Sequence, residues 1–147
     1  MTIFTIGHST HELGAFLALL GRARIEAVAD VRRYPSSRRM PWFNAGALGA
    51  SLAAAGVEYH HLVDLGGRRA GGFQGYAEYM ASEEFGQGVE TLLELAARRR
   101  TAMMCAEARW TKCHRRLLAD ALSARGHDVV HIGARGELEP HRPRLEV

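Results

Sequence analysis

Hydrophobic positions along this chain fall into two patterns: short uninterrupted runs, and longer stretches in which they recur every three or four residues. The first run, Thr2-Ile-Phe-Thr-Ile6, is β-branched and aromatic and predicts a buried strand. Gly7, His8 and Ser9 close it with a tight turn. Ser9 followed three residues later by Glu12 has the spacing of a capping box, and Leu13, Phe16, Leu17 and Leu20 then share a helix face until Gly21 supplies a stop.

The unit then repeats. Ala27-Val-Ala-Asp-Val31 predicts a second buried strand, followed by a loop over residues 32–43 that carries Pro35 and Pro41. Asn44 is placed to cap a helix whose Leu48, Leu52 and Ala55 lie together before Gly56. Residues 57–62 suit a third strand. A Gly-rich connection with Leu65-Gly-Gly67 and Phe73 leads to a helical region starting at Tyr76, Tyr79 and Met80. Ser82 is placed to cap the part holding Phe85, Val89, Leu92, Leu93 and Ala96, so the region is one broken helix or two. Residues 101–106 predict a fourth strand, residues 111–125 an amphipathic helix stopped by Gly126, and residues 128–133 a last strand. The tail over residues 134–147 has two prolines, mixed charge and little apolar content, and is expected to be irregular and partly disordered.

Strands that alternate with helices and are almost uniformly apolar imply a single α/β domain over residues 1–133: an open, mainly parallel sheet with helices on both faces. Right-handed crossovers place each strand-to-helix loop on one edge of such a sheet, where ligands bind. That edge gathers His8 and Ser9, Asp30 and Arg32, and Cys105 and Glu107.

Composition narrows the classes. A chain of 147 residues that is 47% hydrophobic fits one domain with a real core. Without an uninterrupted apolar run of about 18 residues or a signal-peptide pattern, a cytoplasmic protein with no membrane partner is the default expectation. Two cysteines do not make a disulfide framework, so reduced thiols are expected. A net charge of +3 with eight histidines falls short of a dedicated DNA-binding module.

The densest chemistry lies in residues 101–122, which hold Cys105, Glu107, Cys113, His114 and Arg115. Each candidate also has a plain structural role. Ser9 is explained by its cap, Asp30 in an apolar strand by an ion pair with Arg32, and a buried cysteine by its behaviour as a small hydrophobe. The Arg clusters at residues 38–39, 68–69 and 98–100 suit solvated surface. Against this, a cysteine at a strand end, facing a helix N-terminus and flanked by His and Arg, has surroundings that create a nucleophilic thiolate. Glu107 suits a general acid or base if burial raises its pKa. Arg32, Arg115 and the helix-start amides suit an anion. Zinc is a weak alternative, because seven residues between Cys105 and Cys113 is not a zinc spacing. A redox pair is disfavoured by the absence of Cys-x-x-Cys.

Taken together, Thr5-Ile-Gly-His-Ser9, Asp30-Val-Arg32 with Pro35 and Ser36, Leu65-Gly-Gly67, Gly72-Phe-Gln-Gly-Tyr76, and Met104-Cys-Ala-Glu107 followed by Cys113-His-Arg115 resemble the domain-of-unknown-function 488 family. The resemblance runs over about residues 2–133. It implies a small bacterial or archaeal α/β protein in which His8, Ser9, Asp30, Arg32, Cys105, Glu107, Cys113, His114 and Arg115 form one signature set. The expectation is an enzyme, a hydrolase or transferase acting on a phosphate-bearing or nucleic-acid-related substrate. Cys105, Glu107 and His114 are its catalytic candidates; His8, Ser9, Asp30, Arg32, Cys113 and Arg115 are its binding candidates; no cofactor is needed. The alternatives are a non-catalytic nucleotide or nucleic-acid binding module, using Arg38, Trp42, Phe43, Arg68 and Phe73, and a metal-binding structural protein.

Overall fold

Six strands, β1 (Thr2–Gly7), β2 (Ala27–Asp30), β3 (Glu58–His61), β4 (Thr101–Cys105), β5 (Asp128–Ile132) and β6 (Leu138–Pro140), form one sheet in the order β3-β2-β4-β1-β5-β6. The first five run parallel and β6 pairs antiparallel with β5. The computed structural model describes residues 1–67 and 70–142. Its helices are α1 (Leu13–Arg22), α2 (Ala45–Ala54), α3 (Gly72–Tyr79), α4 (Glu83–Arg98) and α5 (Arg115–Ala124).

Alternation along each strand sends side chains into two cores, one per face. Phe4, Ile6, Val28, Ala102 and Met104 pack with Phe16, Leu19 and Leu20 of α1 and Leu48 and Leu52 of α2. Ile3, Ala29, Met103 and Cys105 pack with Tyr76 of α3, Phe85, Val89 and Leu92 of α4, and Leu118 and Leu122 of α5. Every residue of β2 and β4 is buried, which is why these strands read as continuous apolar runs.

The connections decide where a ligand can sit. From β1 the chain crosses by α1 to β2 on one face; from β4 it crosses by α5 to β5 on the other. Neighbouring β1 and β4 therefore lead away in opposite directions, which makes their carboxyl ends the switch point of the sheet, the edge at which α/β folds bind ligands.

Several local expectations change. Ser9 makes no capping box: it sits in the left-handed region with φ 49°, and α1 starts later, with Glu12 at its N-cap and no side-chain cap. The cause is tertiary, since the Ser9 amide donates to the Ala106 carbonyl at 2.9 Å and keeps the turn on the end of β4. The helix runs past Gly21 to Arg22. Asn44 occupies an N-cap position, but its Oδ1 accepts from the Ser37 amide at 2.6 Å instead of capping. Ser82 does cap α4, accepting from the Phe85 amide, and α3 and α4 are two helices. The helix expected from residue 111 begins at Arg115, because residues 110–112 form a 3-10 turn. The tail is not wholly irregular, because β6 covers the edge of β5, with Pro140 tolerated on an outer strand. Arg68, Arg69 and residues 143–147 of the expected loop and tail lie outside the described residues.

Candidate functional site

The switch point is built on close backbone contact. Gly7 pairs with Cys105, and the His8 amide donates to the Cys105 carbonyl at 2.8 Å. A Cβ on Gly7 would collide with the Glu107 carbonyl, so only glycine lets the end of β1 approach the turn after β4. Arg115, 1% exposed, holds the same turn from below. It donates to the carbonyls of Glu107 at 2.9 Å and Ala108 at 3.3 Å, and to Thr5 Oγ1 at 3.2 Å.

Cys105 ends β4 and Cys113 precedes α5, and their sulfurs lie 3.0 Å apart. His114 occupies the N-cap position of α5. Its Nε2–H donates to the Val31 carbonyl at 2.9 Å, and Nδ1 is left to share a proton with Cys113 Sγ at 3.3 Å. The Tyr76 ring packs edge-on against this imidazole at 5.0 Å. The second glycine of Leu65-Gly-Gly67 makes room for it, as a Cβ there would lie 2.6 Å from Nδ1.

These contacts separate the two thiols. Cys113 is held down to about 4, first by the hydrogen bond from Cys105 and then by His114 and the Arg115 amide at the helix start. Burial, followed by the bond to Cys113, pushes Cys105 well above the ordinary thiol range. Of the two, Cys113 is therefore the more acidic sulfur.

Asp30 is fully buried and receives the Arg32 fork, with Nε on Oδ1 at 2.9 Å and a terminal nitrogen on Oδ2 at 2.7 Å. The Arg32 amide and the Tyr59 hydroxyl complete the shell at 3.0 and 2.6 Å. The other bonds of Arg32 go to the Phe43 carbonyl at 2.8 Å and His8 Nε2 at 3.4 Å. Burial lowers the His8 pKa, and its ring stacks on Phe43 at 4.4 Å. Asp30, Arg32 and His8 thus form a buried scaffold under the loop of residues 32–43. Burial and Asp30 together raise the Tyr59 phenol.

Over this floor opens a cavity of about 450 Å³. Five predicted residues line it: Arg32, Cys105, Glu107, Cys113 and His114. His8, Ser9, Asp30 and Arg115 do not; they support the turns around it. Glu107 is exposed, and its carbonyl does the structural work. Arg33, Tyr34, Phe73 and Lys112 also line the cavity. Three of these were missed as site residues, although Lys112 is the chain's one lysine and directly precedes Cys113, and Arg33-Tyr34 directly follow Arg32. Of the aromatics expected to contact a nucleic acid, Phe43 is 0% exposed and Trp42 donates its indole N–H to the His11 carbonyl, whereas Phe73 is exposed.

Behind the turn, a second cavity of about 400 Å³ is lined by Trp110, Arg115 and His131. Here Thr5 Oγ1 lies 2.6 Å from His131 Nδ1, His131 Nε2 lies 2.8 Å from His141 Nδ1, and His141 Nε2 lies 2.6 Å from Asp120. Trp110 stacks on His131 at 4.3 Å. Burial, with His141 and Arg115 nearby, lowers the His131 pKa to about 3.

Among the described residues no group of three or more His, Cys, Asp or Glu side chains is placed to hold a metal ion, Cys105, Cys113, His114 and Glu107 included. No described helix is long and apolar enough to cross a membrane. The family model for the domain of unknown function DUF488 matches residues 12–122, a span that starts just after Thr5-Ile-Gly-His-Ser9. Comparison with curated proteins and with solved structures returned no match.

Proposed function

The chain belongs to the DUF488 family, and from the geometry of its site we propose that it is an enzyme whose nucleophile is the Cys113 thiolate, acting on a small phosphate-bearing substrate. One observation carries this: Cys113 Sγ stands on the wall of a 450 Å³ cavity, 3.3 Å from an imidazole whose far nitrogen is already committed to a carbonyl. That is the nucleophile, base and orienting acceptor of a cysteine-dependent transferase or hydrolase.

In this assignment the nucleophile is Cys113 and not Cys105, which is 2% exposed and whose thiol burial pushes up. Attack by Cys113 on the substrate's electrophilic centre forms the covalent bond as the bond to the leaving group breaks, and the acceptor later displaces the Cys113 thiolate. The proton shared with His114 Nδ1 passes to the leaving group, and the emptied Nδ1 then takes a proton from the incoming acceptor. Lys112 and Arg33 supply positive charge on the cavity wall, and Tyr34 and Phe73 supply flat apolar surface for a base or other ring.

Site-resolved alkylation with iodoacetamide at neutral pH tests the assignment. Cys113 should be modified faster than Cys105 and faster than a free thiol. Preferential modification of Cys105, or slow modification of both, overturns it.

A further inference from the structure

A hydrolase or transferase of this kind needs one nucleophilic sulfur, yet the site holds two in direct contact. Cys105 and Cys113 approach to 3.0 Å, both largely buried, and neither is in a disulfide. An S–S bond is about 2 Å long, so closing the pair calls for a shift of only about 1 Å. Cys105 is fixed in a fully buried strand, whereas Cys113 follows a 3-10 turn whose residues are not buried, so Cys113 is the sulfur able to move. Eight positions separate them, and the pair exists only because the end of β4 lies beside the start of α5.

We propose that Cys113 and Cys105 are the attacking and resolving thiols of a dithiol–disulfide couple that reduces a small anionic disulfide bound in the 450 Å³ cavity. This rests on Cys113 being the site's nucleophile and gives that sulfur a second, redox activity on a different substrate class from the transfer or hydrolysis proposed above. The Cys113 thiolate attacks one sulfur of the substrate, R–S–S–R. The substrate S–S bond breaks, a Cys113–S–R mixed disulfide forms, and the first departing thiolate takes the proton shared with His114 Nδ1. Cys105 Sγ then attacks Cys113 Sγ, and its proton passes to the second departing thiolate. The products are two RSH and an internal Cys105–Cys113 disulfide. The substrate gains two electrons, the pair loses two, and a second small dithiol returns the couple to its reduced form. Lys112 and Arg33 at the cavity wall select for negative charge on the substrate.

The test uses the intact reduced protein and glutathione disulfide, an anionic small disulfide, followed by acid quench, intact mass and peptide mapping. Wild type should lose two hydrogens, carry no glutathione, and yield a peptide joining Cys105 to Cys113. Cys105→Ser should instead retain one glutathione on Cys113, and Cys113→Ser should carry none. A persistent glutathione adduct on the wild-type protein, or no change in its mass, overturns the proposal without relying on either variant folding. The iodoacetamide measurement separates the two levels. Fast alkylation of Cys113 together with an unresolved adduct removes only the dithiol couple, and slow alkylation of Cys113 removes the nucleophile beneath it.

Discussion

Gly67 and His114 occupy complementary halves of one space: the missing side chain of the first is filled by the imidazole of the second, whose Nδ1 would be 2.6 Å from a methyl at residue 67. Gly67→Ala should therefore displace the ring from Cys113 while leaving the two cores intact. Overpacking of this kind costs about 1–3 kcal/mol. The specific signature is chemical: the pH midpoint of Cys113 alkylation should rise, and an unshifted midpoint in a folded variant would show that His114 does not support the thiolate.

The alkylation profile of the wild-type protein should separate the cysteines by pH. With Cys113 ionising near 4, its modification should stay on a plateau well below the pH at which ordinary thiols lose reactivity. Cys105 should show no such plateau. Mapping the label by residue between pH 5 and 8 checks this.

Acid should destabilise the fold through its neutral histidines. His131 has a folded pKa of about 3 against an ordinary 6.5, and His8 is shifted in the same direction. Between those values the unfolded chain binds protons that the folded chain refuses, so stability is present above 6.5 and is lost as pH falls toward 3. The depressed Cys113 adds a trend of the same sign, its contribution growing as pH rises from about 4 toward the ordinary thiol value. Thermal midpoints across this range should fall steadily with pH, and less steeply in His131→Gln.

Removing Arg32 should cost stability before it costs binding. Arg32→Gln leaves the fully buried Asp30 carboxylate with the Tyr59 hydroxyl and backbone amide but no cation. Loss of one partner from a buried ion pair costs about 3–5 kcal/mol. Urea unfolding should report a loss of that size; a stability change near zero would mean that Arg32 is held in place by something other than Asp30.

The parts of this molecule that follow local rules were legible from residue order. β1, β2 and β4 bury nearly every residue and read as apolar runs, and Ser82 caps α4 through the next turn of its own helix. The parts made by distant contacts were not. Ser9 has the letters of a cap but is held by Ala106, and β6 exposes all three of its residues, so no hydrophobic pattern announces it. Asp30 and Arg32 left an ion pair and a catalytic role equally open, and only the fork geometry with Tyr59 and Phe43 shows how fully they are engaged. The contact between the two sulfurs was not legible, because their spacing matches no Cys-x-x-Cys motif, and the strand-end rule placed only Cys105 and Glu107 at the carboxyl edge.

With both imidazoles neutral, the chain of contacts from Arg115 through Thr5, His131 and His141 to Asp120 runs in one sense. A guanidinium has protons to give and no lone pair to receive, and a carboxylate is the reverse. The Asp120 carboxylate takes the Nε2–H of neutral His141, whose Nδ1 then accepts from His131 Nε2–H, and His131 Nδ1 is left to accept from the Thr5 hydroxyl, whose oxygen accepts from Arg115. Every tautomer along the wire is thereby dictated by its two ends, which sit on one helix at Arg115 and Asp120. The buried cation that pins the Glu107 turn is thus tied to a half-exposed carboxylate through aligned dipoles. The last two links are supplied by His141, which places a residue beyond the final strand among those that orient the Cys105 edge of the cavity.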